Sequence, residues 1–208
     1  MVKLKICGFT SRRDIEYALS LGIEIIGINF CKKSPRCVTF EKAKKLLDNL
    51  PYGVMSIGVF VNPDEDTLFN FLDALNLSGV QLHGEEPPAL IRKIRKKFPG
   101  RIIVKALRAE NSESLLDGFK KYNPDFFLLD AYMMGVHGGT GRRIGRSLLT
   151  QPWLPWRRIF LAGGITPENV RELLAEFSPY GIDIASGVES SPGKKDMEKM
   201  RKLVERIK

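Results

Sequence analysis

Short apolar runs alternate with segments of helical spacing eight times along this chain. The runs are Lys3–Gly8, Ile25–Phe30, Val54–Val61, Gly79–His83, Arg101–Leu107, Asp125–Asp130, Arg158–Ala162 and Gly181–Ser186. Ile25-Ile26-Gly27-Ile28-Asn29-Phe30 is nearly all apolar, the pattern of a strand covered on both faces, as in parallel sheets. Between the runs lie helix signals. Thr10 or Ser11 caps a first helix, with Asp14 near its positive end and Gly22 closing it. Thr39 caps a second helix, which runs to Leu50 before Pro51. Asn62-Pro63-Asp64 turns the third strand into a helix ending near Leu75. Pro87 sits in the first turn of a fourth helix, where proline is tolerated. Asn111 or Ser112 caps a helix to Tyr122, and a last helix runs from about Lys195 to the end. The unit from Leu129 to Arg157 is the least regular; its glycines and Trp153-Leu154-Pro155-Trp156 imply a long loop and a short helix. Eight strands, each followed by a helical segment, is the count of a single (β/α)₈ TIM barrel, expected here over residues 1–208. A doubly wound sheet gives a similar alternation. The strand count, with no strand that reads as an antiparallel edge, favours the barrel.

In such a barrel the carboxyl ends of the strands share one rim, where ligands bind. That rim would carry Cys7, Arg36 from the second loop, His83, Asp130 and Asp183. It would also carry three glycine-rich turns: Gly138-Gly139-Thr140-Gly141, Gly163-Gly164 and Ser186-Gly187. Glycines let backbone N–H groups approach a phosphate, and turns after strands seven and eight form the phosphate site of many barrels. In the first strand, period two sends Leu4 and Ile6 one way and Lys3, Lys5 and Cys7 the other. Cys7 reads either as a small inert core residue or as a reactive thiol with an ammonium on its own face. Asp130 reads either as a cap or as a general acid opposite that thiol. His83 is a satisfied core histidine or a site residue. Arg36 is a solvated charge or, from a mobile loop over the rim, a fork for a carboxylate.

Composition narrows the partners. The net charge of +9 admits nucleic acid, an acidic membrane or an anionic small molecule. Much of the charge falls on helical runs such as Arg92-Lys93-Ile94-Arg95-Lys96-Lys97, the mark of a solvated face, and no nucleic-acid motif accompanies it. Neither a nucleic acid nor a membrane partner is expected, and a phosphorylated small molecule is. No apolar run approaches the roughly 20 residues of a membrane span. With a strand at the very start and no secretory segment, a cytoplasmic protein is expected. The three cysteines, Cys7, Cys31 and Cys37, lack CxxC spacing, against a disulfide framework and against a zinc site.

Lys5-Ile6-Cys7-Gly8, Gln81-Leu82-His83-Gly84-Glu85, Leu129-Asp130, Gly138–Gly141, Leu161-Ala162-Gly163-Gly164-Ile165, Ser186-Gly187-Val188-Glu189 and Pro192-Gly193-Lys194-Lys195-Asp196 together resemble phosphoribosylanthranilate isomerase. The likeness runs from the first strand to the last helix. It implies an isomerase of tryptophan biosynthesis that carries out an Amadori rearrangement without metal or organic cofactor. By this resemblance Asp130 is the general acid and Cys7 the general base. Arg36 holds the anthranilate carboxylate, and His83 and Asp183 are further substrate contacts. Backbone around Gly139, Thr140, Gly141, Gly163, Gly164, Ser186 and Gly187 holds the phosphate. The acid must keep its proton near neutral pH, so a raised Asp130 pKa is expected. Lys5 is expected to favour the Cys7 thiolate. One departure stands out. Where the family usually follows the glycine turn with a basic and a small residue and then Phe-Asp-Trp, this chain has Arg142-Arg143-Ile144-Gly145-Arg146, which bears on the sixth loop and on affinity.

Two rival classes are weighed. One is another phosphate-binding barrel enzyme, the histidine-pathway aminoaldose isomerase or indole-glycerol-phosphate synthase. The first uses an aspartate where Cys7 stands and the second relies on lysine and glutamate. The other rival is a non-catalytic anion- or nucleic-acid-binding barrel. Phe9 and the Trp153/Trp156 pair read as apolar loop residues with two uses, docking a second copy as a homodimer or covering the barrel.

Overall fold

The computed structural model describes residues 2–108, 111–130 and 146–207. Eight parallel strands close into a barrel in chain order: β1 (Lys3–Cys7), β2 (Ile25–Asn29), β3 (Met55–Phe60), β4 (Gly79–Leu82), β5 (Ile102–Leu107), β6 (Phe126–Asp130), β7 (Ile159–Ala162) and β8 (Gly181–Ile184). Closure comes from β1 pairing with β8, with Lys5 opposite Asp183. The helices are α1 (Arg12–Ser20), α2 (Phe40–Leu47), α3 (Glu65–Ala74), α4 (Pro88–Lys97), α5 (Ser112–Lys121), the short α6 (Arg146–Leu149), α7 (Val170–Glu176) and α8 (Met197–Ile207).

Each helix turns an apolar stripe to the barrel. In α4, Leu90, Ile91 and Ile94 are buried while Arg92, Lys93, Arg95, Lys96 and Lys97 face solvent, so this basic run is a solvated surface. Alternation along the strands makes two cores. Outward residues such as Ile6, Ile26 and Leu129 pack under the helices. Inward residues Ile25, Ile57, Val104, Ala106, Leu128 and Phe160 fill the barrel. Phe126 and Tyr180 stack at 4.3 Å and add to the packing of this inner cluster.

Local chemistry agrees with the caps in part. Thr39 accepts from Lys42 N, and Asn111 and Ser114 form a reciprocal capping box on α5. Ser11 occupies the cap position of α1, but its side chain makes no capping bond. The last helix starts at Met197 rather than Lys195, because β9 (Glu189–Ser191) and β10 (Lys194–Lys195) form an antiparallel hairpin ahead of it. Phe9 is fully buried, against its expected place on an apolar loop surface. Trp153 packs edge-on to Phe119 and Trp156 stacks on Phe177, so both cover the barrel. No helix among the described residues is long and apolar enough to cross a membrane.

Candidate active site

The carboxyl ends of the strands surround a cavity of about 770 Å³. Its lining includes Cys7, Arg36, His83, Asp130, Asp183, Gly163, Gly164, Ser186 and Gly187. Nine residues singled out in the sequence therefore share one concavity. Gly139, Thr140 and Gly141 lie outside the described residues, as does most of the Arg142–Arg146 departure.

Cys7 ends β1 and points inward, above Lys5 on the same face. Lys5 Nζ donates to Asp183 Oδ2 at 2.9 Å, and both side chains are buried. Burial pulls the ammonium down, but Asp183, and after it Cys7, outweigh that and hold the Lys5 pKa above its ordinary value. Burial pushes the Cys7 thiol up; Lys5 and Lys195 pull it back, while Asp183 pushes with the burial. The net direction is upward. Lys5 acts on the thiol in the expected sense, yet its charge is shared with Asp183 and does not overcome desolvation. The second oxygen, Asp183 Oδ1, is buried without a partner among the described residues.

His83 follows β4. Burial is the main cause that lowers its pKa to about 4, with Asp183 opposing, so the ring is neutral at pH 7. Gln81 Nε2 lies 3.0 Å from His83 Nδ1. With Gln81 donating there, the ring proton sits on Nε2 and His83 is a hydrogen-bond donor. Gln81 Oε1 is buried without a partner among the described residues, in the cavity wall. In the sequence Gln81 stands out only as part of the Gln81–Glu85 motif, although its place two residues before His83 puts both on one face.

Arg36 stands on the loop after β2, which is tied by its own hydrogen bonds. Asn29 accepts from Cys31 N and donates to Ser34, Ser34 Oγ accepts from Arg36 N, and Val38 N donates back to Asn29 O. The guanidinium pairs with Glu189 through Nε and Nη2, at 2.8 Å and 2.6 Å. That hydrogen bond raises the Arg36 pKa further.

Gly163 and Gly164 have φ of +91° and +65°, a backbone that side chains with a Cβ rarely adopt. Asn169 accepts from Thr166 N and donates to Gly164 O, which fixes this turn. The turn after β8 packs so closely on it that a Cβ at Gly187 would fall 1.8 Å from Ile165 O. Main chain from β7 and β8 thus forms one continuous wall, on which an anion can meet backbone rather than side chains.

Comparison with known proteins identifies the family. The family model described as N-(5'phosphoribosyl)anthranilate (PRA) isomerase matches residues 4–206. The isomerase of that name from Citrifermentans bemidjiense is 40% identical over 208 residues, 100% of this chain and 98% of the relative. A solved phosphoribosyl anthranilate isomerase in complex with reduced 1-(o-carboxyphenylamino)-1-deoxyribulose 5-phosphate superposes with a TM-score of 0.82 at 32% identity, covering 99% of this chain and 98% of that one. Monomers generated from the dimeric isomerase of Thermotoga maritima give 0.81 at 31% identity, with 99% and 98% covered. These findings favour neither the histidine-pathway reading nor a non-catalytic barrel. A full-length match, carried on a barrel whose rim gathers a thiol, a carboxylate and two glycine turns, fixes the assignment: the chain belongs to the N-(5'-phosphoribosyl)anthranilate isomerase family and is an isomerase of tryptophan biosynthesis.

Proposed function

We propose that Asp130 and Cys7 are the acid and base with which this isomerase converts N-(5'-phosphoribosyl)anthranilate to 1-(2-carboxyphenylamino)-1-deoxyribulose 5-phosphate. Asp130 protonates the ribose ring oxygen. The bond from that oxygen to C1 breaks as the anthranilate nitrogen lone pair forms an iminium. The Cys7 thiolate then takes the C2 proton, and the C–H electrons make an enolamine. Tautomerisation of the enolamine, in which C1 gains the proton that the C2 hydroxyl loses, gives the ketone, and solvent carries the proton on Cys7 back to Asp130. Atoms and electrons balance within the substrate, so two proton-transfer groups suffice.

Arg36 grips the anthranilate carboxylate, a charge-assisted contact suited to its planar fork. Amides around Gly163, Gly164, Ser186 and Gly187 hold the phosphate. The neutral His83 donates from Nε2 to a sugar hydroxyl, and Asp183 Oδ1 accepts from another. The observation that carries this reading is that thiol and carboxylate line one cavity, with the guanidinium and the glycine turns in its walls. We assign the reaction to the cytoplasm, a compartment in which three free thiols persist.

Turnover with binding measured beside it tests the roles. Cys7→Ser and Asp130→Asn are each expected to lower kcat by about 10²–10⁴, with affinity for a product analogue kept. Near-normal turnover in Asp130→Asn would refute the acid assignment.

A further inference from the structure

Glu189 and Lys195 belong to the two motifs after β8, and neither proton transfer nor phosphate binding gives them a task. Neither lines the cavity. Lys195 Nζ is fully buried and donates to Cys7 O at 2.6 Å, to Glu189 Oε1 at 2.8 Å and to Ala185 O at 3.3 Å. All three ammonium donors are thereby used. One cation binds the main chain of the base, the main chain after β8 and a carboxylate.

That carboxylate holds Arg36. Both Glu189 oxygens accept from the Nε/Nη2 edge of the guanidinium. This side-on grip leaves the Nη1/Nη2 edge outside the pair. Exposure rises along the chain of charges, from 0% at Lys195 through 3% at Glu189 to 20% at Arg36. Only the last member reaches the cavity. The Arg36 stem is fixed from below as well, because it crosses Gly8 so closely that a Cβ there would lie 2.4 Å from Arg36 Cδ. Burial pushes the Glu189 carboxyl up, but Arg36 and Lys195 more than reverse this, so it is ionised at neutral pH. The triad therefore carries one net positive charge, the complement of one carboxylate.

We propose that Glu189 is the positioning residue for recognition of the anthranilate carboxylate: anchored by Lys195 to the main chain of Cys7, it fixes the Arg36 fork with its outer edge facing the cavity. This rests on the reading of Arg36 as the carboxylate ligand. It adds that carboxylate grip and base share one anchor, so the ring is held in register with the thiol.

The test uses two probes, the reduced product analogue carrying the ring carboxylate and the same compound without it. Glu189→Gln is expected to weaken binding of the first by about 10–100-fold, the range of one or two charge-assisted hydrogen bonds. KM should rise by a similar factor with kcat held within about threefold, and binding of the second probe should stay unchanged. In an Arg36→Met background the effect of Glu189→Gln on the first probe should vanish. Equal losses with both probes, unchanged affinity for the first, or additive losses in the double variant overturn the proposal. If Arg36→Met alone leaves the first probe's affinity intact, it is the reading of Arg36 that fails. Should Glu189→Gln not fold, Glu189→Asp keeps the charge one methylene short and must show a smaller loss confined to the carboxylate-bearing probe.

Discussion

Lys5 and Asp183 form a buried ion pair directly beneath the Cys7 thiol, Nζ to Oδ2 at 2.9 Å, from side chains only 2% and 6% exposed. The pair puts opposite charges of opposing effect beside Cys7. Its ammonium lowers the thiol pKa and its carboxylate raises it.

The thiol titration should therefore move in opposite directions when either partner is neutralised. With Cys31 and Cys37 replaced by serine, alkylation by iodoacetamide against pH should give a midpoint above that of an ordinary free thiol. Lys5→Met should shift it higher and Asp183→Asn lower. Each single change leaves a buried charge alone and is expected to cost about 3–5 kcal/mol in urea unfolding. A midpoint unmoved by Lys5→Met would remove Lys5 from any role in thiolate control.

His83 gives the fold a sensitivity to acid. Its folded pKa is about 4 against 6.5 for the free side chain, so the unfolded chain binds more protons between those values. Stability is then full above pH 6.5 and declines as pH falls towards 4, by about 3 kcal/mol at most from this residue. Unfolding of His83→Asn should be flatter over that window. The kcat/KM profile from pH 5 to 8 should carry no limb from His83, and a limb lost in His83→Asn would contradict its neutral state.

Gly27 leaves the space that the thiol occupies. A Cβ at this position, opposite Cys7 in β2, would lie 2.7 Å from Sγ and 2.9 Å from Cys7 Cα. Gly27→Ala must push β1 or rotate the thiol. The expected result is a fall in kcat of at least about tenfold beside a stability loss of about 1–3 kcal/mol. Wild-type turnover in this variant would show that the position of the sulfur is not critical.

Lys105 and Glu86 fasten the rim under His83. Lys105 Nζ donates to Gly84 O at 2.6 Å, Ala106 O at 3.0 Å and Glu86 Oε2 at 3.1 Å. Glu86 Oε1 accepts from Asn62 N and Gly84 N, joining the loops after β3 and β4. Burial lowers the Lys105 pKa, against the pull of Glu86. Lys105→Met strands a carboxylate and several carbonyls and should cost about 3–5 kcal/mol, read as a shift of the urea midpoint. A neutral result would mean that water replaces the ammonium.

Local pattern in the chain was enough for the barrel. Eight apolar runs with helical segments between them, and the period-two face that carries Lys5 and Cys7, follow from backbone geometry and neighbouring residues. So do Thr39 as a cap, a cap at Asn111 or Ser112, and the glycines at 163, 164 and 187. The charge partners did not follow. Lys5 meets Asp183 across 178 positions, Arg36 meets Glu189 across 153, and Lys195 reaches Cys7 O across 188. These contacts exist because β8 closes on β1 and brings the end of the chain to its beginning. Burial then decides their chemistry: whether Lys5 supports a thiolate, and whether His83 is charged, depends on desolvation that no local pattern records. Residue order set which groups reach the rim; closure of the cylinder set which of them touch, and the loss of water there set their protonation.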